Sequence, residues 1–118
     1  MRVIHEPDNG DGNRQVLATD VEKARRLSQK FWGLRFTRQV PEGYALVFEF
    51  EGSSPRTIDM LFVRTPIDVI WLIDERVNHV STLRPWIGVG MHRADCVIEL
   101  PPGTAGDVEA SDRVFVEG

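Results

Sequence analysis

Thr57-Ile58-Asp59-Met60-Leu61-Phe62-Val63-Arg64-Thr65-Pro66-Ile67-Asp68-Val69-Ile70-Trp71-Leu72-Ile73-Asp74 is the longest strongly apolar stretch of the chain. It reads as two strands, residues 56–63 and 67–73, forming a hairpin that turns at Arg64-Thr65-Pro66. In the second strand Ile67, Val69, Trp71 and Ile73 fall on one side, and Asp68, Ile70 and Leu72 on the other. Both sides are mostly apolar, which predicts a strand covered on two faces. Asp68 is the odd member. A carboxylate at the start of a buried strand needs a partner. Arg64, four residues upstream across the turn, is the expected one.

The flanking sequence reads mostly as strand. Pro7, Asn9-Gly10 and Asp11-Gly12 are turn residues, so residues 1–13 form either an edge hairpin, with Gln15-Val16-Leu17-Ala18 returning, or a loose arm. Thr19-Asp20-Val21-Glu22 has the form of a capping box. Val21, Ala24, Leu27 and Phe31 follow at helical spacing, and Gly33 is a natural terminator. These signals predict a helix over about residues 20–32 with a basic outer face. Tyr44, Leu46, Phe48 and Phe50 alternate along a strand at 44–50, and a turn is expected at 51–55. Beyond the central stretch come a turn at 74–76, a strand at 77–83 and an apolar loop at 84–91. Strands at 94–100 and 113–117 follow. The expected fold is one mainly β domain over residues 1–118, a small sandwich or partly closed barrel with the single helix packed on it.

Composition narrows the class. With 42% apolar and 27% charged residues, the 118-residue chain can bury a core of its own. A net charge of −4 argues against a general nucleic-acid binder, which needs clustered cations. Twelve of the 14 basic residues are arginine, a bias that suits a salt-rich (halophilic archaeal) cytoplasm and equally a GC-rich genome. Cys96 is the single cysteine, so no intramolecular disulfide forms. The N-terminus lacks the apolar region of a signal peptide, and no run reaches the length of a membrane span. A soluble, cytoplasmic, prokaryotic protein is expected.

The candidate chemistry is sparse. His5, His79 and His92 have no diagnostic metal spacing with Asp68, Glu99 or Cys96, so no metal or other cofactor is expected. Cys96 lies mid-strand on an apolar face, as a small buried hydrophobe does. Asp68 and Glu99 would make a carboxylate pair if both faced one cavity, the arrangement of a hydrolase-like small-molecule enzyme. Arg84 and Trp86, with Ile87 and Met91, place apolar bulk in a loop, where binding residues concentrate.

Several pieces, taken in order and spacing, resemble the DUF192 family of small uncharacterised prokaryotic proteins. They are Gly33-Leu34, then Gly43-Tyr44-Ala45-Leu46-Val47-Phe48, then Met60 eight residues before Asp68 in Pro66-Ile67-Asp68. Arg84-Pro85-Trp86 and Val97-Ile98-Glu99-Leu100-Pro101-Pro102-Gly103-Thr104-Ala105 follow. The resemblance spans about residues 14–117. Arg35, Asp59-Met60-Leu61 and Ser111-Asp112 depart from the family's usual Gly-Leu-Met, Trp-Met-Lys and Gly-Asp. The resemblance implies a β-sandwich or barrel-like fold with a helix, and no particular activity.

The expected function is therefore a non-enzymatic binding or interaction module. Its candidate site residues are Arg64, Asp68, Arg84, Trp86 and Glu99. The alternative is the small-molecule enzyme using Asp68 and Glu99. The expected partner is a protein or small-molecule ligand, with no nucleic acid and no membrane, and the chain itself is a monomer or weak dimer.

Overall fold

The computed structural model describes residues 1–10, 12–24 and 40–118. Eight strands form one sheet: β1 (Arg2–Glu6), β2 (Gln15–Ala18), β3 (Asp20–Ala24), β4 (Tyr44–Asp59), β5 (Ile67–Ile73), β6 (Arg76–Leu83), β7 (Val89–Leu100) and β8 (Arg113–Glu117). Their spatial order is β2-β1-β8-β6-β5-β7-β4-β3. β5 is the most deeply buried strand, with six of its seven residues inaccessible. Its period-two alternation feeds two separate cores. Ile70 and Leu72 join Ile98, Leu100, Val47, Val3 and Val114 on one face. Val69 and Trp71 join Val97, Leu46, Phe48, Ile58 and Met60 on the other.

The sheet curls without closing. β2 and β3 stand at its opposite edges, yet only Thr19 separates them in sequence. The two edges therefore meet at that corner, and β1 and β3 come into contact. The fold is one open sheet rather than a closed barrel.

A second feature creates a local sandwich. Between Glu49 and Ser54 β4 advances five positions while β7, from Cys96 to Ala94, advances two. The excess makes an irregularity at Gly52, whose φ is +73°. Beyond it, Ser54 to Asp59 of β4 pair with Ala94 to Val89 of β7 as a ribbon. This ribbon lies over β5 and β6. The indole Nε1 of Trp71 donates to the Arg56 carbonyl at 3.0 Å, and Asn78 Nδ2 donates to the Arg93 carbonyl at 2.9 Å. A Cβ on Gly90 would stand 2.7 Å from the Trp71 ring, so only glycine lets the ribbon come this close.

Four expectations are corrected. Residues 20–24 are strand rather than the start of a helix. They run parallel to Tyr44–Phe48, and the Gly43 carbonyl accepts the amides of both Thr19 and Asp20. The open edge of β4 outcompetes the local capping signals, and Glu22 receives the Tyr44 hydroxyl instead. The rest of the predicted helix lies outside the described residues, and no described residue is helical. The turn expected at 51–55 is the irregularity within β4. Residues 56–73 are not a hairpin: β4 and β5 pair with opposite edges of β7, both antiparallel to it, so residues 60–66 are a crossover between parallel strands, from Asp59 opposite Val89 to Asp68 opposite Leu100. Finally, β1 is not an edge strand. β1 and β2 pair as a hairpin, but β1 is an inner strand because β8 runs along its other side, leaving β2 as the edge.

Candidate interaction surface

The crossover at residues 60–63 and the turn at residues 84–88 lie side by side and are tied through their backbones. Trp86 N donates to the carbonyls of both Met60 and Val63 at 3.1 Å, and Met60 N donates to the Gly88 carbonyl at 3.0 Å. Val63 N closes onto Met60 O, Gly88 N onto Arg84 O, and Ile87 N onto Pro85 O. Asp59 Oδ1 accepts the Leu61 amide at 3.1 Å. Gly88 is required here, since a Cβ would meet the Arg84 carbonyl oxygen at 2.6 Å. Met60 and Val63 point into the core beneath.

The side chains left outside are apolar. Leu61, Phe62, Trp86, Ile87, Val89 and Met91 are all exposed, Ile87 to 73% and Trp86 to 48%. The Trp86 and Phe62 rings meet edge to face with centroids 5.5 Å apart. Both residues adopt left-handed backbone, with φ of 67° and 65°. That conformation costs a residue with a Cβ roughly 1–2 kcal/mol. Two bulky aromatics held this way at one exposed spot are a concentration of backbone strain, which gathers at functional sites.

The five expected site residues do not assemble. Arg64, Arg84 and Trp86 are exposed at this tip. Asp68 is buried on β5, where Oδ1 accepts the Thr82 hydroxyl at 2.7 Å and Oδ2 accepts the Ala105 amide at 2.8 Å. No Arg64–Asp68 ion pair forms; the carboxylate instead ties the turn after β7 to the sheet. Asp68 stands opposite Leu100 and Val69 opposite Glu99, so adjacent residues alternate and Asp68 and Glu99 occupy opposite faces. The paired-carboxylate site is thereby removed. Leu61 and Phe62 escaped the sequence reading because they looked like interior strand residues, while Val89, expected in the apolar loop at 84–91, is the first residue of β7. The signal present but unused was Asp59, a turn-capping residue placed just before Leu61-Phe62.

Other polar groups serve the fold. His5 Nε2 donates to Asp112 Oδ2 at 2.7 Å in a buried pair. The His79 and His92 rings stack at 3.6 Å beside Trp71. Burial lowers the His92 pKa, and the neighbouring His79 lowers it further. Among the described residues no three His, Cys, Asp or Glu side chains are grouped to hold a metal. Burial, reinforced by Glu49 and Asp95, pushes the Cys96 thiol up to about 12. Native protein at pH 8 is therefore expected to resist iodoacetamide, and unfolded protein to be alkylated freely. Rapid native labelling measured by mass would show an accessible thiolate instead.

A single curled β-sheet with two cores and an apolar tip is the class of protein these features define. The chain belongs to the DUF192 family, described as Uncharacterized ACR, which matches residues 9–116. Two solved structures are similar. One is a putative transcription regulator from Sinorhizobium meliloti, 22% identical with a TM-score of 0.80, covering 97% of this chain and 91% of that one. The other is a protein of unknown function from Novosphingobium aromaticivorans, also 22% identical, with a TM-score of 0.81, covering 98% and 84%. At this identity the likeness establishes the fold alone. No curated protein matches the chain.

Proposed function

We propose that this protein is a non-enzymatic binding module and that the tip formed by residues 60–63 and 84–91 is its recognition surface. The observation that carries this reading is the exposure of four large apolar side chains on two turns tied to each other, continued by Val89 and Met91 at the start of β7. Scattered apolar residues on a surface need no explanation, but a contiguous group of this size marks a contact site. Closure of the core does not account for it, because Met60, Val63 and Leu83 already fill the space below.

Trp86→Gly tests the reading. Relief of the left-handed backbone favours the variant by about 1 kcal/mol. Loss of the Phe62 ring contact costs a similar amount. Unfolding stability is thus expected to stay within about 1 kcal/mol of the parent. Binding of the apolar dye ANS to the native protein is expected to fall sharply. A drop in stability of several kcal/mol in urea unfolding would mean that Trp86 closes the core and that the tip is not a recognition surface.

A further inference from the structure

The tip carries charge as well as apolar bulk. Arg64 and Arg84 flank the two turns, and both are exposed. In a chain whose net charge is −4, this is a local reversal of sign. Asp59 is the carboxylate within the tip, and its Oδ1 is engaged by the Leu61 amide.

The backbone is equally informative. The amides of Met60, Leu61, Val63, Trp86, Ile87 and Gly88 all have acceptors within the tip itself. A protein interface uses roughly one hydrogen bond per 100–200 Å² and draws on free donors and acceptors. The apolar side of a lipid boundary favours the reverse, donors whose acceptors lie within the protein itself. Tryptophan and phenylalanine settle at the boundary between acyl chains and headgroups. Arginine side chains reach outward from such a boundary to lipid phosphates.

We infer that the occupant of the tip is the surface of an anionic lipid bilayer: Leu61, Phe62, Trp86 and Ile87 insert into its boundary layer, and Arg64 and Arg84 contact its phosphates. This rests on the reading of the tip as a recognition surface. It is a peripheral contact and needs no spanning segment; no helix among the described residues is long and apolar enough to cross a membrane.

The test is flotation of the full chain with phosphatidylcholine vesicles, with and without phosphatidylglycerol. Binding is expected only when phosphatidylglycerol is present, and it should weaken as salt rises. Each of Arg64→Gln and Arg84→Gln should reduce the partition constant roughly fivefold. Trp86→Gly combined with Ile87→Ser should abolish binding while the protein stays folded. Absence of vesicle binding by protein that still binds ANS at the tip would overturn the bilayer and leave the recognition surface standing. Wild-type dimers that dissociate in the double variant would assign the tip to a second copy of the chain, which also overturns the bilayer. Vesicle binding that survives the double variant would place the contact elsewhere and overturn it too. Unfolding of the double variant, with Trp86→Gly alone also destabilised, would instead remove the recognition surface itself.

Discussion

Truncating Trp71 to alanine is expected to lower the unfolding free energy by about 3–5 kcal/mol, the cost of deleting a large buried aromatic. Trp71 is inaccessible to solvent and lies between β5 and the ribbon that folds over it. Its ring touches His79 and His92, and it occupies the space where a Cβ of residue 90 would stand. The cavity cannot collapse easily, because the ribbon is also pinned by the hydrogen bond from Asn78. Trp71→Phe keeps most of the packing but leaves the Arg56 carbonyl without its donor, so a smaller loss of about 1–2 kcal/mol is expected. Urea unfolding of both variants gives the comparison. An alanine variant within 1 kcal/mol of the parent would mean that the ribbon does not rest on this side chain.

Asp112→Ala is the second large effect, at about 2–4 kcal/mol near neutral pH. The Asp112 carboxylate accepts from His5 Nε2, from the Asp8 amide and from the Glu109 amide, at 2.7–2.9 Å. It thereby binds the turn after β1 to the turn before β8. Burial works to raise its pKa, but the hydrogen bonds from His5, Asp8 and Glu109 outweigh burial and hold it below the ordinary value. A depressed carboxylate contributes stability that is fully present above its unfolded pKa, about 3.9, and is lost as pH falls through the folded value. The gap between parent and Asp112→Ala should thus be constant from neutral pH down to about pH 4 and narrow at lower pH. A gap that stayed unchanged down to pH 2 would show that the hydrogen bonds do not depend on the charged form.

Much of the fold could be read from the chain because alternation is a local signal. The apolar run around Trp71 announced a strand buried on both faces, and that strand became the centre of the sheet. What failed was pairing. Residues 56–63 and 67–73 are close in sequence, which suggests a hairpin, yet β7 enters between them from residues 89–100. Register with a distant strand leaves no local trace. The capping box at Thr19 to Glu22 failed for a related reason: an unpaired edge of β4 outweighed a helix start whose side chains found cross-strand partners. Of the site, Trp86 and Arg84 were visible as a loop with unusual apolar content, while Arg64 was read only as a partner for Asp68. Asp68 and Glu99 misled because they are buried acids, and only the cross-strand register separates their faces. Phe62 was hidden in an apolar run that the backbone breaks with a left-handed turn.

The pairing of β1 with β8 has a kinetic consequence. Arg2 stands opposite Glu117, so β1 finds one of its two neighbours only after every strand from β2 to β7 has been made. During synthesis the β1–β2 hairpin exists with one flank bare, and a lone hairpin is marginal in water. Ladders between residues so far apart also fold slowly, because the loop entropy is spent before the contacts form. The nascent chain thus carries an unfinished sheet margin until β8 emerges, and that interval is when it is most exposed to mispairing with other chains.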